Sequence, residues 1–418
     1  MFDRDNWQEI FATIKKNKLR TTLTAFGVFW GIFMLVIMLG SGAGLRNGVL
    51  KDFSGTATNS FFVWTQKTSK PYKGMKPGRS YNFNMGDMVA LKTQVSEIDV
   101  VAPQNQLGGH DETVSVIRGL KTGVFSVYGQ YPVIDKIQPV AILQGRFLND
   151  NDITNKRKVA VIGKRVSEIL FKKDEAVIGE YISINGIYFK VIGINKPTGS
   201  GQEAQEQAQN ILIPFTTFQH AFNNGDRVGW FAITAKEGIP ASEAETKALA
   251  LLKERHKVAP EDLLAIGHWN MEEEFTKLSG LFTGINGLVW FVGIGTLIAG
   301  VIGVSNIMLI IVKERTKEIG VKRALGATPL MIVSQLIKES IFLTSFAGYF
   351  GLVAGIAVLD LVSKSLPPDD TSMFQNPEVN LRVAVTALIV LIISGALAGM
   401  IPARKAVSIN PVEALRSE

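Results

Sequence analysis

Four apolar runs divide the chain. Leu23 to Gly40 lies inside a stretch from Thr21 to Leu45 that holds no charged residue. Leu278 to Val312 is charge-free for about 35 residues, and Ser340 to Leu359 and Val383 to Ala403 follow. A helix needs about 20 apolar residues to cross roughly 30 Å of hydrocarbon, so each run predicts a span. The second is too long: as one helix it would measure about 52 Å, so its surplus should continue as helix on one side of the bilayer. The first is not a cleaved signal, because it starts late, is long and lacks an A-x-A-like site.

Between the first two runs the pattern becomes mixed α/β. Phe61 to Gln66, Lys158 to Gly163 and Trp230 to Ala235 read as strands. YISINGIYFKVIGIN reads as a hairpin turning at Asn185-Gly186, a pair suited to a type I′ turn. Ala241 to Lys257 is helix-rich, and a helix from Met271 should feed the second span. Ahead of the first span, Trp7, Ile10, Phe11 and Ile14 fall on one helical face. They predict an amphipathic helix lying in the cytoplasmic headgroup layer, in contact with membrane lipids.

Charge sets the orientation. Arg4, Lys15, Lys16, Lys18 and Arg20 precede the first span, while Arg404, Lys405 and Arg416 follow the fourth. The loop after the second span carries Lys313, Arg315, Lys317, Lys322 and Arg323; the loop after the third has only Lys364, with Arg382 at its edge. The positive-inside rule places both termini and the Lys313 loop in the cytoplasm. The net charge of +7 sits beside apolar runs, which fits anionic headgroups rather than nucleic acid. There is no cysteine, which excludes a disulfide framework, a thiolate nucleophile and a cysteine metal site. His110, His220, His256 and His268 make no metal-ligand spacing.

The span cores hold no ionisable residue; Lys338, Glu339 and Asp360 stand at the ends of the third. Ion-coupled carriers place such groups at mid-membrane, so energy should enter elsewhere. Each span region has a small-xxx-small pair, Gly27/Gly31, Ala299/Gly303, Gly351/Gly355 and Gly395/Gly399, consistent with close helix packing or with ordinary glycine frequency in membranes. In the α/β region, KTSKPYKGMKPGR places a base at every third residue from Lys67 to Arg79, which either aligns them on a polyproline-like strand or marks a solvated loop. PTGSGQEAQEQAQN reads as a mobile connector, and Glu272 to Glu274 as a solvated helix face. No G-x-S-x-G, H-E-x-x-H or P-loop occurs.

Lys313 to Pro329, KERTKEIGVKRALGATP, carries five basic and two acidic residues between two apolar runs. Glu314/Lys317 and Glu318/Lys322 are helix neighbours, Gly326 suits a helix C-cap, Thr328 an N-cap and Pro329 the next first turn. A structured helix bearing both charges is more than orientation requires and suits a docking surface for a cytoplasmic partner.

EIGVKRALGAT resembles the coupling motif of MacB/FtsX-type ABC transporter permeases, the mechanotransmission superfamily. KNKLRTTLTAFGVFWGI resembles that family's approach to its first span. GRSYNFNMGDMVALKTQVSEIDVVAP and KVAVIGKRVSEILFKKDEAVIGEYISINGIYFKVIGIN resemble its extracytoplasmic domain, with ILIPFTTFQ in the usual order, and IPARKAVSINPVEALRSE its C-terminal signature. The fold class expected is an α-helical membrane protein with four transmembrane helices, plus a mixed α/β extracytoplasmic domain made of a porter-like part and an inserted β-rich part. The layout expected is an amphipathic helix at 1–20, a first span at 21–45 and an extracytoplasmic domain at 46–277, with its insertion at about 115–224. A stalk and second span at 278–312, a cytoplasmic coupling helix at 313–329 and a third span at 330–359 follow. A short extracytoplasmic loop at 360–382, a fourth span at 383–403 and a cytoplasmic tail at 404–418 complete it.

The resemblance implies a permease with no catalytic, metal or cofactor site of its own, coupled through Glu314, Lys317, Glu318, Gly320, Arg323 and Gly326 to a separate ABC ATPase that binds ATP and Mg²⁺. It further implies a homodimer or paired permeases in the inner membrane, and efflux of peptides, macrolides or other amphiphiles through a periplasmic adaptor and an outer-membrane channel. Lipoprotein release and regulation of cell-wall hydrolases are the alternatives within the superfamily. A membrane-anchored receptor or scaffold that transports nothing is the alternative from another class.

Overall fold

The computed structural model describes residues 18–54, 56–109, 113–173, 175–198, 201–365 and 381–408. In chain order, α1 (Lys18–Ser54) leads to β1 (Ser60–Thr65), β2 (Phe83–Asn84), α2 (Met85–Gln94), β3 (Ile98–Gln106), β4 (Val114–Arg118) and β5 (Lys121–Gln130). A 3-10 turn (Pro132–Lys136) precedes β6 (Ala141–Gly145), α3 (Asp150–Thr154), β7 (Val159–Gly163), α4 (Lys164–Leu170), β8 (Tyr181–Ile184) and β9 (Ile187–Lys196). Next come α5 (Gly201–Ala208), β10 (Asn210–Pro214), α6 (Phe215–Ala221), β11 (Arg227–Val228), β12 (Trp230–Ala235), α7 (Ala241–Arg255) and β13 (Ile266–Asn270). Four further helices follow: α8 (Met271–Glu314), α9 (Thr316–Ala324), α10 (Pro329–Ser365) and α11 (Leu381–Val407). Among the described residues, the chain separates into a helical unit over residues 18–47, 281–365 and 381–408 and an α/β unit within residues 48–280.

The α/β unit is a split sandwich. Strands run β13-β1-β12-β3, all antiparallel, and the chain visits them as β1–α2–β3, then β12–α7–β13. That is the βαββαβ arrangement of ferredoxin-like domains. Alternation along β1 sends Phe61 and Val63 toward α2 and α7, where they bury with Leu91, Ala248 and Leu252. Phe62 faces the other way and packs with Ile134 and Ile137 of the 3-10 turn. The chain leaves this sandwich after Gln106 and returns at Trp230, an interruption wider at both ends than the 115–224 expected.

The interruption closes on itself. Strands β5-β4-β8-β9-β7-β10 pair in sequence, and β10 pairs back onto β5, completing a ring around Phe125, Ile162, Ile184, Phe189 and Ile213. The β8–β9 hairpin turns at Asn185 and Gly186, with φ of +47° and +80°, the two positive values that a type I′ turn demands.

One α/β loop differs from the sequence reading, and a second takes the loop alternative rather than the polyproline-like one. The Gln-rich segment expected as a connector contains α5: Gln, Glu and Ala are good helix formers, and a Cβ on Gly163 would lie 2.1 Å from the Ala208 carbonyl oxygen, so glycine alone lets the helix end settle there. The basic loop is not polyproline-like. Tyr72 and Met75 exchange two backbone hydrogen bonds around Lys73 and Gly74, whose φ values are +46° and +79°. Glu272 does more than face solvent, since its carboxylate accepts the N–H of Ala241 at the start of α7.

The basic loop is latched by Asp262, which is fully buried. Its carboxylate accepts the Ser69 N–H at 2.7 Å, the Ser69 hydroxyl at 2.7 Å, the Lys70 N–H at 3.0 Å and the Leu264 N–H at 3.2 Å. Burial alone would push this carboxyl up, but the donors outweigh it and hold it at about 2.

In the helical unit, α1 over Ala25–Leu50, α8 and α10 are long and apolar enough to cross a bilayer. α1 overruns its predicted span by continuing to Ser54, while α8 starts at Met271, where the sequence placed the helix that feeds the second span. The 27-residue helix α11 packs along α10, where the Ser340 hydroxyl donates to the Gly395 carbonyl at 2.8 Å inside the bundle. A Cβ on Gly351 would sit 2.5 Å from the Phe29 carbonyl oxygen of α1, one on Gly355 2.8 Å from Val36, and one on Gly395 2.1 Å from the Thr344 hydroxyl. Gly399 would meet Ser340 at 3.0 Å, and Gly31 lies in ordinary contact with Thr296 at 3.5 Å. Gly27 faces open space, Ala299 is exposed and Gly303 half-buried; Gly300, against Val28, makes the close approach of α8 to α1.

Two outcomes follow for thermal unfolding of the full chain in detergent. Gly351→Ala and Gly27→Ala both gain helix propensity, yet only Gly351→Ala should lower the Tm, by overpacking worth about 1–3 kcal/mol. The Asp262 carboxyl lies below its ordinary value when folded, so the latch is complete above about pH 4 and lost as pH falls toward 2. Asp262→Asn should therefore destabilise at neutral pH, and its difference from the parent chain should shrink when both are melted near pH 2.5.

Candidate functional site

The charged cassette joins α8 to α10. The helical path breaks at Arg315, whose φ and ψ are −96° and 13°. The Thr316 hydroxyl bonds back to the Lys313 carbonyl at 2.8 Å. α9 then buries Ile319 and Gly320 against the bundle and exposes Lys317 and Glu318; Glu314, the last residue of α8, is also exposed.

The end of α9 is a Schellman turn. Gly326 takes φ of +100°, its N–H donates to the Arg323 carbonyl at 3.1 Å, and the Ala327 N–H reaches the Lys322 carbonyl at 3.0 Å. A side chain at Gly326 would strain this left-handed backbone. The Thr328 carbonyl accepts the Met331 N–H at 3.0 Å, and Pro329 opens α10 with a ring that needs no hydrogen bond there.

Two arginines fasten α9 to the neighbouring helices. Arg323 Nη1 donates to the Val407 carbonyl at 2.8 Å, occupying an acceptor left over at the C-terminus of α11. Arg315 Nε donates to Glu318 at 2.8 Å, while its Nη1 lies 3.8 Å from Glu339 of α10. Glu339 is only 5% exposed, whereas the Glu318 side chain is 61% exposed, so Arg315 joins a buried acid to a surface one. A small cleft opens beside them between Arg315, Glu318, Lys322 and Gln335, floored by Ile319 and Ile332.

Sequence spacing pairs Glu318 with Lys322; the ion pair formed at Glu318 is instead with Arg315, three residues ahead of it. Arg315 and Glu339 were not among the predicted site residues. The signal for Glu339 was an acid at the margin of an apolar run; none marked Arg315 as its partner. Leu325, Leu330 and Met331 were also missed; they are 84%, 80% and 65% exposed around the Gly326 turn, giving the charged surface an apolar part. The predicted interfacial residues Trp7, Ile10, Phe11 and Ile14 lie outside the described residues.

In the α/β unit, Asp87 forms a buried charged cluster. It closes a capping box with Asn84 and meets Arg255 Nε and His256 Nε2, each at 2.7 Å. Burial would raise its carboxyl, but His256, Arg255 and the Asn84 N–H hold it below the usual range. The cluster ties the start of α2 to the end of α7, a structural duty. Among the described residues, no group of three or more Asp, Glu or His side chains could hold a metal ion.

Long apolar helices, an ordered charged cassette between two of them, and a large interrupted α/β unit define a membrane protein of the transporter-permease class. A model of the MacB-like periplasmic core domain matches residues 21–251, and one of the FtsX-like permease C-terminal matches residues 290–411. The chain belongs to the MacB/FtsX-type family of ABC transporter permeases and is a multi-pass membrane protein with a MacB-like periplasmic domain.

Among its relatives, the macrolide export ATP-binding/permease protein MacB of Bdellovibrio bacteriovorus is 29% identical, aligned over 98% of this chain and 61% of its own length. The chain thus spans about three fifths of the length of that relative. An uncharacterized ABC transporter permease of Methanocaldococcus jannaschii is 26% identical over 98% of this chain and 96% of its own length. Among solved structures, the periplasmic region of MacB from Actinobacillus actinomycetemcomitans covers 55% of this chain and 97% of its own, at 19% identity and a TM-score of 0.44.

Replacing Glu339 by Gln leaves Arg315 without its buried counter-charge. Breaking one side of a buried pair costs up to about 3–5 kcal/mol, and a contact as long as this one should give about 2 kcal/mol. Detergent melts should show the loss for Glu339→Gln and a much smaller one for Glu318→Gln, whose carboxylate is solvated.

Proposed function

We propose that this chain is the permease subunit of an ABC transporter and that a P-loop ATPase docks on the cassette from the cytoplasm. The observation that carries the reading is the fastening of α9. Its exposed side offers Lys317, Glu318 and Leu325 to a partner, while Arg315 and Arg323 hold its other side to α10 and α11. A push on such a helix passes to the bundle as rigid-body motion. α8 leaves the cassette as one unbroken helix from Glu314 back to Met271, where it becomes β13.

In this reading ATP and Mg²⁺ are bound by the ATPase and not by these 418 residues, which hold no G-x-x-x-x-G-K-[ST] segment to cradle phosphates. The Lys317/Glu318 surface receives the ATPase and the α/β unit performs the work. α11 is the fourth span, both termini face the cytoplasm, and the inner membrane holds the complex as a dimer or paired permeases. Relatives bear the names macrolide export and pyoverdine export proteins, which supports efflux of amphiphilic molecules or peptides, delivered to an adaptor and an outer-membrane channel.

Glu318→Lys tests the reading. Its side chain is exposed, so the fold should persist, while reversal should weaken ATPase association at least about tenfold and abolish export by reconstituted vesicles. Unchanged association and unchanged export would refute the coupling role.

A further inference from the structure

The coupling mechanism makes no use of the basic loop between β1 and β2. Lys67, Lys70, Lys73, Lys76 and Arg79 lie on it, and no acidic residue occurs between Asp52 and Asp87. The loop is ordered along its length. The Thr68 N–H donates to the Arg79 carbonyl at 3.1 Å, the Gly78 N–H to the Thr68 carbonyl at 2.6 Å, and Tyr72 and Met75 close its tip. Arg79 is structural: its guanidinium donates to the His256 carbonyl at 2.6 Å and the Lys257 carbonyl at 3.2 Å. The four lysines are exposed.

The acid beneath the loop, Asp262, is buried and engaged by its four donors, while Glu254 and Glu261 are the exposed acids of the adjoining α7–β13 segment. Directly after Asp262, Leu263 and Leu264 are 78% and 64% exposed. Asp262 binds Ser69 and Lys70 on one side and the Leu264 N–H on the other, so one carboxylate fixes the basic loop at Lys70 beside the leucine pair.

We propose that this surface docks a protein partner through an acidic segment, the lysines forming the charged rim and Leu263 and Leu264 the apolar centre. Charge complementarity selects the partner's chemistry. The latched backbone lowers the ordering cost of binding, and an apolar pair bordered by charge has the anatomy of an interface. The chain's connections argue for a protein rather than a lipid surface. α1 enters β1 at Ser60 and β13 leaves into α8 at Asn270, whereas the basic loop and the leucines follow Thr65 and precede Ile266. They stand at the opposite end of this strand pair, about 17–20 Å along it from those junctions. The proposal does not rest on the transport reading.

The test uses the full chain in neutral phosphatidylcholine nanodiscs. One variant replaces Lys67, Lys70, Lys73 and Lys76 by Ser, and a control replaces the exposed Lys156, Lys158, Lys172 and Lys173 by Ser. Fluorescent poly-L-glutamate should bind the loop variant at least about tenfold more weakly than the parent and bind the control normally, with an affinity that falls as salt is added. A photo-crosslinker at position 264 in cells should give an adduct whose sequenced peptide is rich in Asp and Glu, and the loop variant should lose that adduct. Equal poly-L-glutamate binding by loop variant and control would overturn the proposal, as would a crosslinked peptide with no acidic excess. It would equally fall if the loop variant lost binding to phosphatidylglycerol vesicles but kept it for poly-L-glutamate, which would assign the surface to lipid.

Discussion

Arg323 on the end of α11, and Arg315 against the buried Glu339, convert a nine-residue helix into part of the bundle. A helix that short does not hold its shape alone in water, because nucleation costs more than so few hydrogen bonds return. Its order comes from being anchored by side chains at both ends, with Ile319 and Gly320 packed between. The exposed charges then stand on a fixed surface, and a force applied there has somewhere to go. Take away either guanidinium and the same residues would still be present and still charged, but on a segment that yields instead of pushing.

The α/β unit obeys a similar economy. Its sandwich is assembled from two βαβ halves that are distant in sequence, and β1 and β13 lie side by side at the point where the chain arrives from α1 and leaves through α8. The two helix junctions therefore belong to adjacent strands of one sheet, and a relative displacement of the two helices would be resisted directly by the β1–β13 ladder. The core on the helix-covered face, with Phe61, Phe231 and Leu252 fully buried, gives that ladder a rigid backing.

Much of this was legible from local pattern. The Asn185-Gly186 turn, the strand Trp230–Ala235, the helix from Met271 and the turn at Gly326 each rest on chemistry within a few residues, and sequence alone displays such chemistry. The family resemblance was legible for the same reason, since its motifs are short and contiguous. The rest depended on residues far apart in the chain. Nothing near Glu339 announces Arg315 as its partner, and nothing near Arg323 announces the carbonyl of Val407. The spacing rule chose Lys322 for Glu318, but Arg315, three residues ahead of the same carboxylate, stands at an equally allowed spacing and forms the pair. The Gln-rich segment was read as connector because its polarity outweighed its helix propensity; only the bare backbone of Gly163 shows where such a helix could rest. Ring closure by β10 on β5 is likewise invisible to pattern, being a pairing across about 80 residues.

Strand β5 belongs to both parts of the α/β unit. Its first half pairs with β4 inside the ring, and its last residues, Tyr128 to Gln130, pair with Gln104 to Gln106 of the sandwich, where the buried Gln130 amide donates to the Gln104 side-chain oxygen at 2.9 Å. A splint of this kind permits no hinge: tilting the ring would shear hydrogen bonds in the parent sheet. Evolution can enlarge or decorate the ring at its far loops, but exchanging it wholesale would require a replacement that delivers a strand in the same register.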